Sequence, residues 1–221
     1  LCLSPLGHGG WSEREEAGLQ EEALKEEDTA RAKEDAFHSS FTEEVDRLAA
    51  EIRQKGFQGS HLVGYSLGGR LSLGLLVRHT EFFSRATLIG VHPGLREETQ
   101  RLERALQDET WATLLEMEGL EAFLDRWEAQ PLFATQNEAQ RRYQRRQREN
   151  LDPHGLALAM RHLSLARMPN YWPELPRLTP PVLWISGYQD PKFRRLARVA
   201  AAAHDTGDFR EIDASGHNVP L

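Results

Sequence analysis

Apolar positions fall into two alternating rhythms along the chain. Short continuous runs occur at Leu1–Ser4, His61–Val63, Ala86–Val91, Pro181–Gly187 and Phe209–Asp213. Bounded by Gly, Pro and polar clusters, such runs predict buried strands. Between them, apolar residues recur at helical spacing. Phe41, Val45, Leu48, Ala49 and Ile52 form one stripe, opened by a Ser40/Glu43 capping box and stopped by Gly56. Leu71–Val77 predicts a buried helix and Phe193–His204 a second one near the end. From Arg96 to Trp172 there is no convincing strand. Five helical patterns fill it instead: Arg96–Leu106, Trp111–Met117, Leu120–Trp127, Asn137–Asn150 and Leu156–Ala166.

Strands that alternate with helices predict an α/β fold with a mostly parallel sheet covered on both faces. The all-helical middle interrupts that rhythm and is expected to form an inserted cap. The expected division is a first core part over 1–95, a helical cap over 96–178 and a second core part over 179–221. No internal repeat is present.

Charge adds one feature. The 221 residues carry a formal net charge of −7, and residues 12–35 alone hold ten acidic and four basic side chains. That stretch has no apolar stripe and is expected to be a surface insert without chemistry. The remainder is nearly neutral, which argues against a nucleic-acid partner. No window approaches a membrane-spanning run, so no membrane partner is expected. A single cysteine, Cys2, excludes an internal disulfide framework and a cysteine-built metal site, and suits a reducing, cytoplasmic compartment. The chain begins on Leu, in what looks like a strand under way, and ends soon after a Gly-His pair. We read it as truncated at both ends, an internal piece of a longer protein.

The chemistry is expected at Gly64-Tyr65-Ser66-Leu67-Gly68, which follows a strand and opens a helix. A sharp strand-to-helix turn strains the middle residue and exposes its hydroxyl above the strand ends; flanking glycines let the backbones pass. The N–H of Leu67, at the helix start, would be one donor for a developing oxyanion. A serine needs a histidine base, and the histidine an orienting acid. Asp190 lies just beyond the Val182–Ser186 run, and His217 just beyond the run ending at Asp213. All three positions follow strand C-terminal ends, the edge where open α/β sheets build their sites. His79, His92, His154 and His162 fall on helices or turns and are expected to be surface or cap histidines.

These residues resemble the α/β-hydrolase superfamily. More narrowly they resemble its family of 2-succinyl-6-hydroxy-2,4-cyclohexadiene-1-carboxylate synthases of menaquinone biosynthesis. The matching stretches are Leu62–Arg70, His92–Leu95, the Arg101/Arg104 helix with Asp108 and Trp111, Trp127 with Gln130–Ala134, Asp190–Phe193 and Gly216–Asn218. The resemblance implies a lyase that eliminates pyruvate from 2-succinyl-5-enolpyruvyl-6-hydroxy-3-cyclohexene-1-carboxylate. Ser66, activated by His217 and Asp190, would remove a ring proton, with no metal or organic cofactor. By motif position the substrate-binding residues fall on Tyr65, Arg70, Arg101, Trp127, Arg148 and Lys192. A polycarboxylate substrate calls for arginines, which grip carboxylates bidentately. Arg141, Arg142, Arg145, Arg146 and Arg148 crowd one predicted helix, and most of them are expected to face solvent. The sequence departs from the family in lacking an earlier strand with a His-Gly pair, the family's second oxyanion donor. A serine carboxylester or thioester hydrolase, or a non-catalytic module of the same fold, are the competing expectations.

Overall fold

The computed structural model describes residues 41–220. The expected opening strand, the Gly7–Gly10 turn, the acidic stretch and the Ser40 half of the capping box lie outside the described residues. Within them, four strands form one parallel sheet in sequence order: β1 (Ser60–Tyr65), β2 (Phe83–Ile89), β3 (Val182–Gly187) and β4 (Gly207–Ile212). Among the described residues β1 pairs only with β2 and so forms one edge of the described sheet.

Helix α1 (Phe41–Gln54) buries the apolar stripe read from its sequence and packs on α2 (Ser66–Arg78). α2 is buried nearly all round, as its Leu-Ser-Leu-Gly-Leu-Leu run demands. Beneath it, Trp184 of β3 and Leu88 of β2 are fully buried with Leu73 and Leu76. Truncating any of these leucines to alanine would cost about 2–5 kcal/mol through lost contact and a residual cavity. The sheet is completed by α6 (Pro191–Ala201) between β3 and β4.

Three helices form a further layer: α3 (Glu98–Glu128), α4 (Glu138–Arg148) and α5 (Pro153–His162), of which α5 also lends Ala159 to the main core. α3 and α5 enclose a second apolar cluster containing Ala112, Leu115, Phe123, Leu124, Leu156 and Ala157. Trp111, Phe123 and Trp127 pack ring against ring beside it, with centroids 5.3–5.7 Å apart. A layer with its own core can cross the sheet edge without being part of the sheet.

Two expected helices, Arg96–Leu106 and Trp111–Met117, are one rod here. The polar Asp108-Glu109-Thr110 step does not break it, because Asp108 pairs internally and Glu109 reaches Arg161 of α5 at 2.7 Å. The break comes instead at Gly119, with φ 82°, a conformation glycine adopts freely. No described helix is long and apolar enough to cross a membrane.

Candidate active site

β1 runs into α2 with no intervening residue, and Ser66 sits at the joint with φ 50°. Such a non-glycine conformation costs of order 1–3 kcal/mol and persists only where the surroundings impose it. Here they do. A Cβ on Gly64 would lie 2.7 Å from Gly69 Cα, and one on Gly69 would lie 3.0 Å from Gly64 O. Gly68 faces open space. Gly64 is hemmed in by Ser72 Oγ, Gly69 Cα and Gly68 O together, and Gly69 by Val91 and Gly64 O, so the crowding reaches one residue past the five-residue motif.

The parallel sheet brings three side chains to its C-terminal edge. Ser66 Oγ lies 3.2 Å from His217 Nε2, and His217 Nδ1 lies 2.8 Å from Asp190 Oδ2. Asp190 also caps α6, its Oδ1 accepting from the Phe193 N–H at 3.1 Å. A carboxylate only accepts, so His217 donates from Nδ1 and turns the lone pair of Nε2 toward the serine hydroxyl. Both partners are buried, His217 at 3% and Asp190 at 7% exposure. The imidazole is clamped between the rings of Phe193 (4.3 Å) and Tyr65 (5.6 Å). Gly90, at the end of β2, forms its floor: a Cβ there would lie 2.9 Å from His217 Cε1.

Ser66 and His217 open into a cavity of about 440 Å³ between the sheet edge and the helical layer. Tyr65, Leu67, Arg70, Trp127 and Arg148 line it, all expected from the sequence. Arg70 is half-buried and donates from Nη1 to Leu163 O at 2.9 Å. Burial pushes its guanidinium down to about 9, Arg104 pushes the same way, and Asp108 opposes. It stays protonated at neutral pH, but an anion beside it would relieve that cost. Arg148 is held by Glu128 at 2.9 Å and lies 5.3 Å over the Phe133 ring. Burial raises the Tyr65 hydroxyl above its ordinary value, so it remains a donor.

Two expected residues are elsewhere. Arg101 donates to three backbone carbonyls, Leu95, Ala166 and Met168, at 3.0–3.1 Å, and does not line the cavity. Lys192 is exposed, with Nζ 5.6 Å from the Phe193 ring centre, and does not line it either. In their place stand Arg104, Asp108 and His92. His92 Nδ1 accepts from the Gly94 N–H at 3.1 Å, which leaves the proton on Nε2. Burial lowers its pKa to about 4, helped by Lys192, Arg70, Arg104 and Arg96, so the ring is neutral. The available signal for His92 was its place directly after β2, on the same edge as Ser66. Of the crowded arginines, Arg142 pairs with Glu138 and Arg145 with Asp125 and Glu128, leaving Arg148 to reach the cavity. Among the described residues no group of three His, Cys, Asp or Glu side chains could hold a metal ion.

A parallel sheet, a strained serine between strand and helix, and an Asp-His pair beyond two later strands define a class. The model of the alpha/beta hydrolase family matches residues 1–221, and the chain belongs to that family. Within it, the chain is similar to the 2-succinyl-6-hydroxy-2,4-cyclohexadiene-1-carboxylate synthase of Escherichia fergusonii, with 37% identity over 157 residues, 71% of this chain and 60% of that protein. The enzyme of the same name from Shigella sonnei is 34% identical over 178 residues, 80% of this chain and 69% of that one. The chain spans about 60% of the length of the first of these relatives. The solved structure of MenH from S. aureus superposes with a TM-score of 0.81 at 27% identity, covering 98% of this chain and 75% of that one. A thermophilic esterase from Thermogutta terrifontis shares the fold, with a TM-score of 0.69 at 20% identity over 82% of this chain and 66% of that one.

Proposed function

We propose that the chain carries the reactive core of a cytoplasmic carbon–oxygen lyase of menaquinone biosynthesis. It would eliminate pyruvate from 2-succinyl-5-enolpyruvyl-6-hydroxy-3-cyclohexene-1-carboxylate to give 2-succinyl-6-hydroxy-2,4-cyclohexadiene-1-carboxylate. Asp190 orients His217, and His217 takes the proton of Ser66. Ser66 Oγ then removes a ring proton. The electron pair of that C–H bond enters a conjugated dienolate, whose oxygen the Leu67 N–H stabilises. Collapse of the dienolate breaks the C–O bond, and enolpyruvate leaves with its electrons and picks up a proton to become pyruvate. Arg70, Arg104 and Arg148 hold substrate carboxylates, while Tyr65 and Trp127 frame the ring. Arg101 and Lys192 have no contact in this scheme. No step in it draws on a metal or an organic cofactor.

One observation carries the reading: the Ser66–His217 pair shares its cavity with two guanidinium groups, Arg70 and Arg104, whose charge suits an anionic substrate. The relatives' names point the same way. A carboxylester or thioester hydrolase is the second reading, favoured by the apolar wall of Phe123, Leu124, Phe133 and Met160. To separate them, the chain is incubated with the cyclohexene substrate and, in parallel, with a chromogenic ester. Pyruvate release without ester turnover supports the lyase. Ester turnover without pyruvate overturns it in favour of the hydrolase.

A further inference from the structure

Asp108 is a carboxylate with 2% exposure on the wall of the cavity. Its Oδ2 accepts from Arg104 Nε at 2.7 Å, one helical turn back on α3. The same oxygen accepts from Ser164 Oγ, also at 2.7 Å, in the segment that follows α5. Ser164 Oγ is itself fixed by the Ala166 N–H at 2.9 Å. A chain of three contacts thus runs from the α5 exit through Asp108 to one edge of the Arg104 guanidinium.

The edge that is held matters. Asp108 engages Nε, and among the described residues Nη1 and Nη2 of Arg104 have no partner. A surface arginine would sample many rotamers, whereas a guanidinium pinned at Nε keeps its remaining fork in one plane. Were packing alone required, an apolar residue at 108 would serve as well, because a buried ion pair seldom adds net stability over a well-packed apolar pair.

We propose that Asp108, braced by Ser164, is a positioning residue that aims the free edge of Arg104 into the cavity, where it and Arg70 together grip one carboxylate of an organic polycarboxylate. The inference rests on the reading that the cavity takes such an anion. It carries an unusual sign. Removing a negative charge beside an anion site should, by Coulomb attraction alone, tighten anion binding. Loss of positioning loosens it.

The test uses the full chain, succinate as the probe, and the variants Asp108→Leu, Ser164→Ala and Ser164→Thr; leucine fills the site without an acceptor, whereas asparagine would keep one. Calorimetry should give succinate affinity about tenfold weaker for Asp108→Leu and about threefold weaker for Ser164→Ala, with Ser164→Thr near wild type because it keeps the hydroxyl. The Hε resonance of Arg104 should be protected from exchange in the wild type, lost in Asp108→Leu and less protected in Ser164→Ala, a change that a purely structural role would not produce. Should Asp108→Leu fail to fold, Ser164→Ala carries both readouts without any change of charge. A wild type that binds no succinate would count against the substrate class proposed above, and the Hε comparison would still decide the positioning role. Equal or tighter succinate binding by a folded Asp108→Leu, or an unchanged Arg104 Hε signal in Asp108→Leu and Ser164→Ala, overturns the proposal.

Discussion

Arg101 and Arg104 sit three residues apart on the same helix and do opposite work. Arg101 turns inward to the carbonyls of Leu95, Ala166 and Met168, tying the start of α3 to the segment after α5. Arg104 turns to the cavity. Arg101→Ala is therefore expected to lower stability by about 1–3 kcal/mol, since three part-buried acceptors lose a charged donor. Succinate affinity of the folded protein should stay near wild type. Arg104→Ala should weaken succinate at least tenfold, and it should lower stability by about 1–3 kcal/mol as well, because buried Asp108 is left with Ser164 as its donor. Urea unfolding and calorimetric titration of both variants check the pair.

Gly90 offers a way to disturb the imidazole without touching the triad. Its φ is +60°, and an added Cβ would press on His217 Cε1 at 2.9 Å. Gly90→Ala is expected to cost about 1 kcal/mol of stability from the backbone alone. It should also lower the turnover rate by tenfold or more by pushing Nε2 off the serine. Turnover and thermal unfolding measured side by side decide it; a full rate in the folded variant would mean that the floor beneath His217 is not needed.

The sheet also holds a pH-dependent contact remote from the cavity. Fully buried Trp184 donates its indole N–H to His204 Nε2 at 3.3 Å. That nitrogen must keep its lone pair, so a second proton on the ring would set donor against donor. Burial accordingly holds His204 below the ordinary histidine value, against a weaker upward pull from Asp205. Below about pH 6.5 the unfolded chain takes up a proton that the folded chain refuses. Stability should then fall as pH drops, by up to about 1 kcal/mol per pH unit until the folded-state pKa is reached. In His204→Gln the side-chain carbonyl still accepts from Trp184 but does not titrate. Urea midpoints between about pH 7.5 and 5.5 should fall more steeply in the wild type; equal slopes would contradict the assignment.

What the sequence made legible was whatever depends on local pattern. Strand, tight turn and helix around Ser66 are neighbours in sequence, and Asp190 and His217 each follow a recognisable apolar run. The helical layer was harder to read. Leu102 and Leu106 suggest an inward face by their apolarity, yet they are 60% and 71% exposed, while the acidic Asp108 is buried. A helix phased on its leucines is rotated away from the phase that the cavity imposes, and motif position, which put Arg101 among the substrate residues, does not register that rotation. Lys192 was misplaced for a related reason: its neighbours Asp190 and Phe193 both contact His217, but the first turn of α6 carries the residue between them outward. Partners of buried charge, such as Ser164 for Asp108, are distant along the chain and leave no mark on local pattern.

The most direct measurement is the rate of pyruvate formation from the cyclohexene substrate by the wild-type chain and by Ser66→Ala. Removing the serine should cost about 3 kcal/mol or more of transition-state stabilisation, a drop of at least roughly a hundredfold in kcat/KM, with the fold and succinate affinity retained. A Ser66→Ala chain that releases pyruvate within a few fold of wild type would contradict the account.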